Sequence, residues 1–415
     1  MNTEPGPGSL ADAVLPLIKT RMELYRRGAA NGHGAQMHRA VDILETAVPT
    51  ADPGEVYTVT HKALASAIKV IARADDSDGI IGDACRRLLG LHPKVAVEAA
   101  VPAKKLVDWM MRFQFDGDVD YFTLDPVAYA EALGDAGIAH YRARLQERED
   151  ALGPRPADKD EFSSGQYHER FTLEWNAQRL AVLDRDVDAI IRTHARDRHV
   201  AAWFHDTAKA FEEIGEFDLA IDWAKQATDF DLGHQSLGAA SYWCALLDGR
   251  RPQESLEARL YVFRRWPSSS TAAGLHRAAG PSWQTFHDEV IETLSARPRE
   301  AVLFVLLTLT DAEFAWSLAH SLVLDDDGTW NRLIEAYQLI DPVAVLPTYQ
   351  RLVENQLVYT GPKHYRLAAR WLATMRTLTA GREERHEVDA FIADLREQHR
   401  RRPRLQQEFD RARLP

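Results

Sequence analysis

The sequence is poor in cysteine and has no long apolar run. Its 415 residues include two cysteines, Cys85 and Cys244, too few for a disulfide framework or a thiolate zinc site. The most apolar run, residues 301–310, is too short to span a bilayer. The first residues contain no basic segment followed by an apolar one, so no export signal is recognisable. We therefore expect a cytoplasmic protein without a membrane partner.

Basic residues are also fewer than acidic ones. There are 50 lysines and arginines against 62 aspartates and glutamates, for a net charge of −12. This balance argues against nucleic-acid binding by the molecule as a whole, although a local basic patch is still possible. A chain of this length exceeds what one hydrophobic core supports, which predicts two domains or a repeat array.

Patterns typical of β-strands are scarce, whereas apolar residues recur at helical spacing along almost the whole chain. The sequence therefore predicts an all-α protein. Residues 153–165 combine Pro, Gly, Ser and charge without periodicity, which is typical of a linker. We expect an N-terminal helical domain over 1–152, a linker over 153–165 and a helical-repeat domain over 166–415.

The helices of the first domain follow from its apolar spacing. They are predicted at 10–27, 34–46, 54–74, 78–91, 102–113, 126–134 and 135–151, and the first helix after the linker is predicted at 167–183. The glycines of Asn-Gly-His-Gly, residues 31–34, are interpreted as the end of one helix and the start of the next.

Residues 203–227 form a recognisable helix–turn–helix unit. Large residues one helical face apart, small alanines and a turn glycine form its pattern, at Phe204, Ala208, Phe211, Gly215, Phe217, Ala220 and Ala227. The pattern resembles a tetratricopeptide repeat, although Thr207, Ala224 and Leu232 depart from it. The resemblance implies an α-solenoid of antiparallel helix pairs, whose concave groove binds an extended peptide or a partner helix.

The chain as a whole is similar to an uncharacterised bacterial helical family. The C-terminal repeat region of that family recurs in proteins with a SWIM-type zinc finger. The residues behind this similarity lie at 70–83, 106–116, 125–142 and 395–409. The cysteine and histidine ligands of the finger are absent, and the similarity implies no activity.

The preferred hypothesis is a non-enzymatic scaffold or adaptor without a cofactor, whose partner is a protein or peptide. Polar positions on the repeat helices are the candidates for lining its groove. They are His205, Lys209, Glu212, Tyr242 and Arg259.

An enzymatic alternative rests on residues 201–209. They resemble the apolar-His-Asp-x-x-Lys helix of HD-type metal-dependent phosphohydrolases, which implies metal binding by His205 and Asp206. Such a site also needs an upstream histidine and a distant aspartate. Candidates for these further ligands are His168, His194, His199, Asp218 and Asp222.

An acidic turn at residues 75–79 raises the question of a cation site. Ligand spacing fails for a calcium loop, because Ala74 and Cys85 fall where carboxylates are required. The preferred interpretation is that one of the residues Asp75, Asp76 and Asp78 caps the following helix. Binding of a metal or a basic partner by this turn is the alternative.

The only dense basic run lies near the C-terminus, at Arg400, Arg401, Arg402 and Arg404. Guanidinium groups bind phosphate oxygens, so this run is a candidate anion or nucleic-acid site. The competing interpretation is a solvated capping helix. No aromatic residue interleaves the run to stack on bases, which favours the cap.

Overall fold

A computed structural model describes residues 9–117, 122–153 and 166–415. Within these ranges the regular secondary structure is helical, and one isolated bridge joins Leu24 to Ala74. The all-α prediction is confirmed. Among the described helices, none is long and apolar enough to cross a membrane.

The chain divides into two compact units, the first reaching Gln226 and the second running from Ala227 to Pro415. The helices that begin in the first unit are α1 (Leu10–Ile18), α2 (Arg27–Ala47), α3 (Pro53–Ile71), α4 (Ile80–Glu98), α5 (Ala103–Phe115), α6 (Pro126–Leu152), α7 (Tyr167–Asp184), α8 (Val187–Ile190), α9 (Ala201–Glu213) and α10 (Phe217–Asp229). A π-turn, Ile191–Ala195, follows α8.

The second unit contains the remaining helices. They are α11 (His234–Arg250), α12 (Pro252–Arg265), α13 (Ser269–Ala279), α14 (Gln284–Ser295), α15 (Pro298–Phe304), α16 (Ala312–Ser321), α17 (Asp327–Tyr337), α18 (Leu346–Val358), α19 (Pro362–Leu378), α20 (Arg385–Gln398) and α21 (Pro403–Arg411). Consecutive helices pack against each other from α15 to α20, and α21 packs on α19. One hydrophobic core extends from Phe263 to Leu414.

Two expectations for the start of the chain are wrong. Helix α1 ends at Ile18, and an extended segment follows because Leu24 pairs with Ala74. Residues 31–34 do not break a helix but lie inside α2. Gly34 is needed there for close packing, since a Cβ atom would lie 2.6 Å from the side chain of Ile80. The glycine marks a helix contact instead of a helix end.

The two helices predicted at 126–134 and 135–151 are confirmed as the two arms of α6. A kink separates them at Gly134, where φ is 59° and ψ is 177°. Side chains with a Cβ atom rarely adopt this backbone conformation, so glycine allows the change of direction.

The predicted hairpin at 203–227 is confirmed as a helical pair, α9 and α10. Gly215, with φ of 81°, lies in the turn between them. The ring centroids of Phe204 and Phe211 lie 5.5 Å and 6.3 Å from that of Trp223. Aromatic packing therefore joins the two helices, as the spacing of the large residues predicts.

The predicted linker lies outside the described residues, apart from Gly153. Its role as a domain boundary stays a prediction. Helix α7, which follows it, packs on α5 and α6, and the first compact unit continues to Gln226.

Candidate peptide-binding groove

A closed triangle of buried polar side chains fixes α7 against α5 and α6. Gln114 Nε2 donates to the Tyr141 hydroxyl at 2.7 Å, and that hydroxyl donates to Asn176 Oδ1 at 2.6 Å. Asn176 Nδ2 donates back to Gln114 Oε1 at 3.1 Å. Burial raises the pKa of Tyr141, so the phenol keeps the proton that it donates. Each buried polar group thus has a partner, and the relative position of the three helices is specified.

Arg179 provides a second anchor for α7. Its guanidinium group contacts Asp125 at 2.9 Å and Glu213 at 2.6 Å, while the arginine side chain is only 12% exposed. Asp125 is also the N-cap of α6, and Glu213 ends α9. The hydrogen bond from Arg179 lowers the pKa of Glu213, so the Glu213 carboxylate remains available as an acceptor at neutral pH. The anchor joins three helices.

A groove lies between α6 and α7. Its walls are residues spaced by three and four positions, so each helix contributes one face. The lining side chains are Arg142, Leu145, Gln146 and Glu149 from α6, and Arg170, Leu173, Glu174, Ala177, Leu180, Ala181 and Asp184 from α7, with Gly153 and Ala189 at the ends. The enclosed volume is about 710 Å³. From residue 142 to 153 the groove is roughly 16 Å long at 1.5 Å per residue.

The floor of the groove is apolar and its ends are charged. Leu145 and Leu180 are almost fully buried, whereas Ala177 is exposed. At one end Arg142 pairs with Asp184 at 2.7 Å. A floor of leucines and alanines under a charged rim is the usual surface for an amphipathic peptide.

The groove continues into a smaller depression of about 400 Å³, with Glu174 and Ala177 in both linings. Here the Arg196 guanidinium lies 5.3 Å from the Trp203 ring centroid and 3.0 Å from Glu174. Arg196 has a positive φ of 47° directly after the π-turn. Such turns recur at functional sites.

The predicted groove residues are distributed over both compact units. His205, Lys209 and Glu212 lie on α9; His205 is half-buried and the other two are exposed. Tyr242 lies on α11 and is half-buried. Arg259 differs from the expectation for a groove residue, because it lies on α12, the second helix of its pair, and forms an ion pair with Asp248. Whether these residues bind a partner stays a prediction.

The structure places His205 and Asp206 on the α9 surface. Asp206 contacts Lys209 at 3.6 Å, and burial lowers the pKa of His205. Two of the proposed upstream ligands, His168 and His194, each contact a backbone carbonyl oxygen at 3.1 Å. The third, His199, is exposed and lies 3.7 Å from Asp197. Across residues 9–117, 122–153 and 166–415, no group of three or more His, Cys, Asp or Glu side chains has the spacing to hold a metal ion.

The capping interpretation of the acidic turn is confirmed. Asp76 accepts hydrogen bonds from the backbone N–H groups of Ile81 and Gly82, at 2.9 Å and 2.8 Å, in the first turn of α4. Asp78 binds Arg27. The hydrogen bond from that guanidinium lowers the pKa of Asp78 to about 2.

The basic run lies around the start of α21. Arg404 pairs with buried Glu408 at 3.1 Å, and Arg400 pairs with a glutamate of α20. Arg402 donates to a backbone carbonyl oxygen of α18 at 2.7 Å. Arg401 is exposed and makes no hydrogen bond or ion pair with the described part of the chain. Intramolecular contacts therefore hold part of the run in place.

Sequence reasoning missed a buried chain of hydrogen-bonding rings in the first unit. His92 Nε2 lies 3.0 Å from His61 Nδ1, and His92 Nδ1 lies 3.0 Å from the Tyr129 hydroxyl. The His92 ring also stacks on Trp109, with centroids 4.3 Å apart. Burial lowers the pKa of His92 to about 3. Single histidines on separate helices gave no sequence signal for this chain.

The α6 and α7 groove was not predicted, because the candidate groove residues all lie on α9, α11 and α12. A signal was present in the facing stripes at 142–149 and 170–184, which combine apolar and charged residues at helical spacing.

Comparison with known proteins yields a family but no activity. No curated protein matches the chain. The expected similarity to an uncharacterised family is confirmed, while the SWIM-associated and tetratricopeptide resemblances stay predictions. The chain belongs to the Family of unknown function (DUF6880), whose model matches residues 15–405.

Proposed function

We propose that the protein is a non-enzymatic adaptor that binds a helix or peptide of a partner protein. The observation that carries the proposal is the groove between α6 and α7, with an apolar floor and charged ends. A binding face needs a rigid scaffold, and the polar triangle and the Arg179 anchor provide one.

The dimensions of the groove suit a short amphipathic helix. A helix that places apolar side chains at i, i+3, i+4 and i+7 would cover Leu145, Leu173 and Leu180. Ala177 and Ala181 allow its backbone to come close, as small residues do between packed helices. Partner charges would meet Arg142 and Asp184 at one end, which sets orientation more than affinity.

The proposal includes the tetratricopeptide-like architecture. In this view the helices of residues 166–415 form an α-solenoid of antiparallel helix pairs, and His205, Lys209 and Glu212 offer a further surface to the same or another protein. The packing of consecutive helices from α15 to α20 supports it. The proposed compartment is the cytoplasm.

Site-specific cross-linking tests the groove directly. A photo-reactive amino acid at Ala177, which is exposed in the middle of α7, is expected to capture a defined partner segment in native cells. The matched control is Ala245, exposed in the middle of α11. Equal capture from both positions, or none from position 177, would contradict the proposal.

Binding of the captured segment as a synthetic peptide then measures the groove's contribution. Ala177→Arg places a long charged side chain on the apolar floor, so we expect at least a tenfold loss of affinity, equivalent to about 1.4 kcal/mol. Ala245→Arg is expected to bind like the wild type. Titration calorimetry provides the dissociation constants, and circular dichroism checks that both variants are folded.

The HD-type alternative has a separate readout. Metal analysis of the purified protein would overturn the purely non-enzymatic proposal if it finds stoichiometric Mn, Fe or Zn that His205→Ala/Asp206→Ala removes. Metal content is measured without any peptide, so its result does not depend on the α6 and α7 groove.

A further inference from the structure

Two exposed apolar residues lie next to the basic run in the second unit. Val358 is the last residue of α18 and is 74% exposed. Tyr359 follows it directly and is 59% exposed. Arg402 Nη1 donates to the carbonyl oxygen of Leu357, the preceding residue, at 2.7 Å. This bond holds the turn before α21 against the end of α18. The aromatic residue that the basic run lacks in sequence is therefore supplied by a different helix.

The Tyr359 ring is itself part of a stack. Its centroid lies 5.3 Å from that of His364, with 28° between the ring planes. His364 is held in turn by Gln356, whose side-chain oxygen lies 2.6 Å from Nδ1. The phenol is thus supported from one side and more than half exposed to solvent, which is the arrangement of a stacking platform.

Two exposed cations lie on the segments that follow this platform in the chain or contact the end of α18. Lys363 follows Tyr359 at the start of α19, and Arg401 precedes Arg402 in the turn that contacts α18; both are exposed. Burial and the charge of Arg402 lower the pKa of His399 in the same turn, as expected where the local potential is positive. We call Tyr359, Lys363, His364, Arg401 and Arg402 the Tyr359 patch.

We propose that the Tyr359 patch binds single-stranded nucleic acid, with one base stacked on Tyr359 and the flanking phosphates on Lys363 and Arg401. Stacking on an exposed aromatic ring beside guanidinium groups is how proteins hold single strands without sequence preference. An acidic peptide would use the cations but has no planar group for Tyr359. A duplex hides its base faces, so the patch discriminates against it.

Two variants separate stacking from phosphate contact. Tyr359→Ala removes the platform and is expected to weaken binding about tenfold with an unchanged salt dependence, because a stacked base contributes about 1–3 kcal/mol. Arg401→Gln removes one phosphate contact, so the slope of log K against log salt should fall by roughly 0.7. Arg402 is left intact, since it holds the turn in place.

Fluorescence anisotropy with the full-length chain and a labelled 20-nucleotide single strand measures both effects. The matched controls are Tyr25→Ala, 68% exposed in the first unit, and Arg277→Gln, exposed on α13; both should bind like the wild type. Thermal unfolding followed by circular dichroism verifies that each variant is folded.

Three results would overturn the proposal. One is the absence of saturable binding at low ionic strength. Another is wild-type affinity of the Tyr359→Ala variant for the oligonucleotide. If polyglutamate then displaces the oligonucleotide as well as an unlabelled strand does, the patch is a site for acidic peptides. The third is equal or tighter binding of the corresponding duplex. The Tyr359 patch shares no residue with the α6 and α7 groove. The result of the peptide-binding test therefore does not affect the test of nucleic-acid binding.

Discussion

At the residue scale, His92 makes the stability of the first unit dependent on pH. Its pKa is lowered to about 3 by burial, whereas a histidine in an unfolded chain titrates near 6.5. The unfolded state therefore binds more protons between these values, and stability falls as the pH drops from about 6.5 towards 3. The full difference is on the order of 5 kcal/mol, at about 1.4 kcal/mol per pH unit.

Urea unfolding at a series of pH values, with tryptophan fluorescence as the signal, checks this expectation. His92→Phe keeps a ring against Trp109 but removes the titrating nitrogens, so its stability should fall less steeply with pH. At pH 7.5 it should be less stable by about 1–3 kcal/mol, because the buried Tyr129 hydroxyl loses its partner. His199→Gln alters an exposed histidine and should follow the wild type. If the free energy of unfolding changes equally with pH in all three proteins, His92 does not cause the pH dependence.

At the element scale, α7 depends on one asparagine for its place. Asn176→Leu removes two sides of the polar triangle and leaves the Tyr141 hydroxyl without its acceptor. We expect a loss of about 2–3 kcal/mol and faster amide exchange in α7 than in α3, measured by hydrogen exchange and mass spectrometry. Gln253→Leu, at an exposed position of α12, is the control. Uniform acceleration along the chain would contradict a local role.

The same element shows what sequence could and could not predict. The predicted span of α7, 167–183, agrees with Tyr167–Asp184 to within one residue, because helical apolar spacing is a local property. The triangle was not predicted, since Gln114 and Asn176 are 62 positions apart and each is an ordinary polar residue in its own helix. The helix end predicted at Gly34 was wrong for a similar reason, because the role of this glycine depends on its contact with Ile80 of another helix.

The candidate sites follow this division between local and distant information. The helix cap at Asp76 was predictable because donor and acceptor are neighbours in the chain. The Tyr359 patch was not, because a hydrogen bond from Arg402 to residue 357, 45 positions away, creates it. The basic run contains no aromatic residue in its own sequence, which favoured its interpretation as a cap. In the folded chain, packing supplies the aromatic residue from another segment.

At the scale of the whole molecule, the described residues include two hydrophobic cores. One extends over residues 14–180 and the other over residues 263–414. Leu372→Ala, at a fully buried position of the second core, should cost about 2–5 kcal/mol through lost burial and a cavity. Because the cores are separate, hydrogen exchange should accelerate in α16 to α19 while α2 to α4 keep wild-type protection. Equal acceleration in both regions would indicate a single cooperative unit.

The closed polar triangle has a consequence for how this family can diverge. Each of its three side chains donates to one neighbour and accepts from the other, so an apolar replacement at one position leaves a buried donor and a buried acceptor unmatched. A homologue can lose the triangle at low cost only by replacing all three members together. Positions 114, 141 and 176 are therefore expected to covary as a triplet across the family. In an alignment of its members, substitutions should be correlated for each of the three pairs of positions.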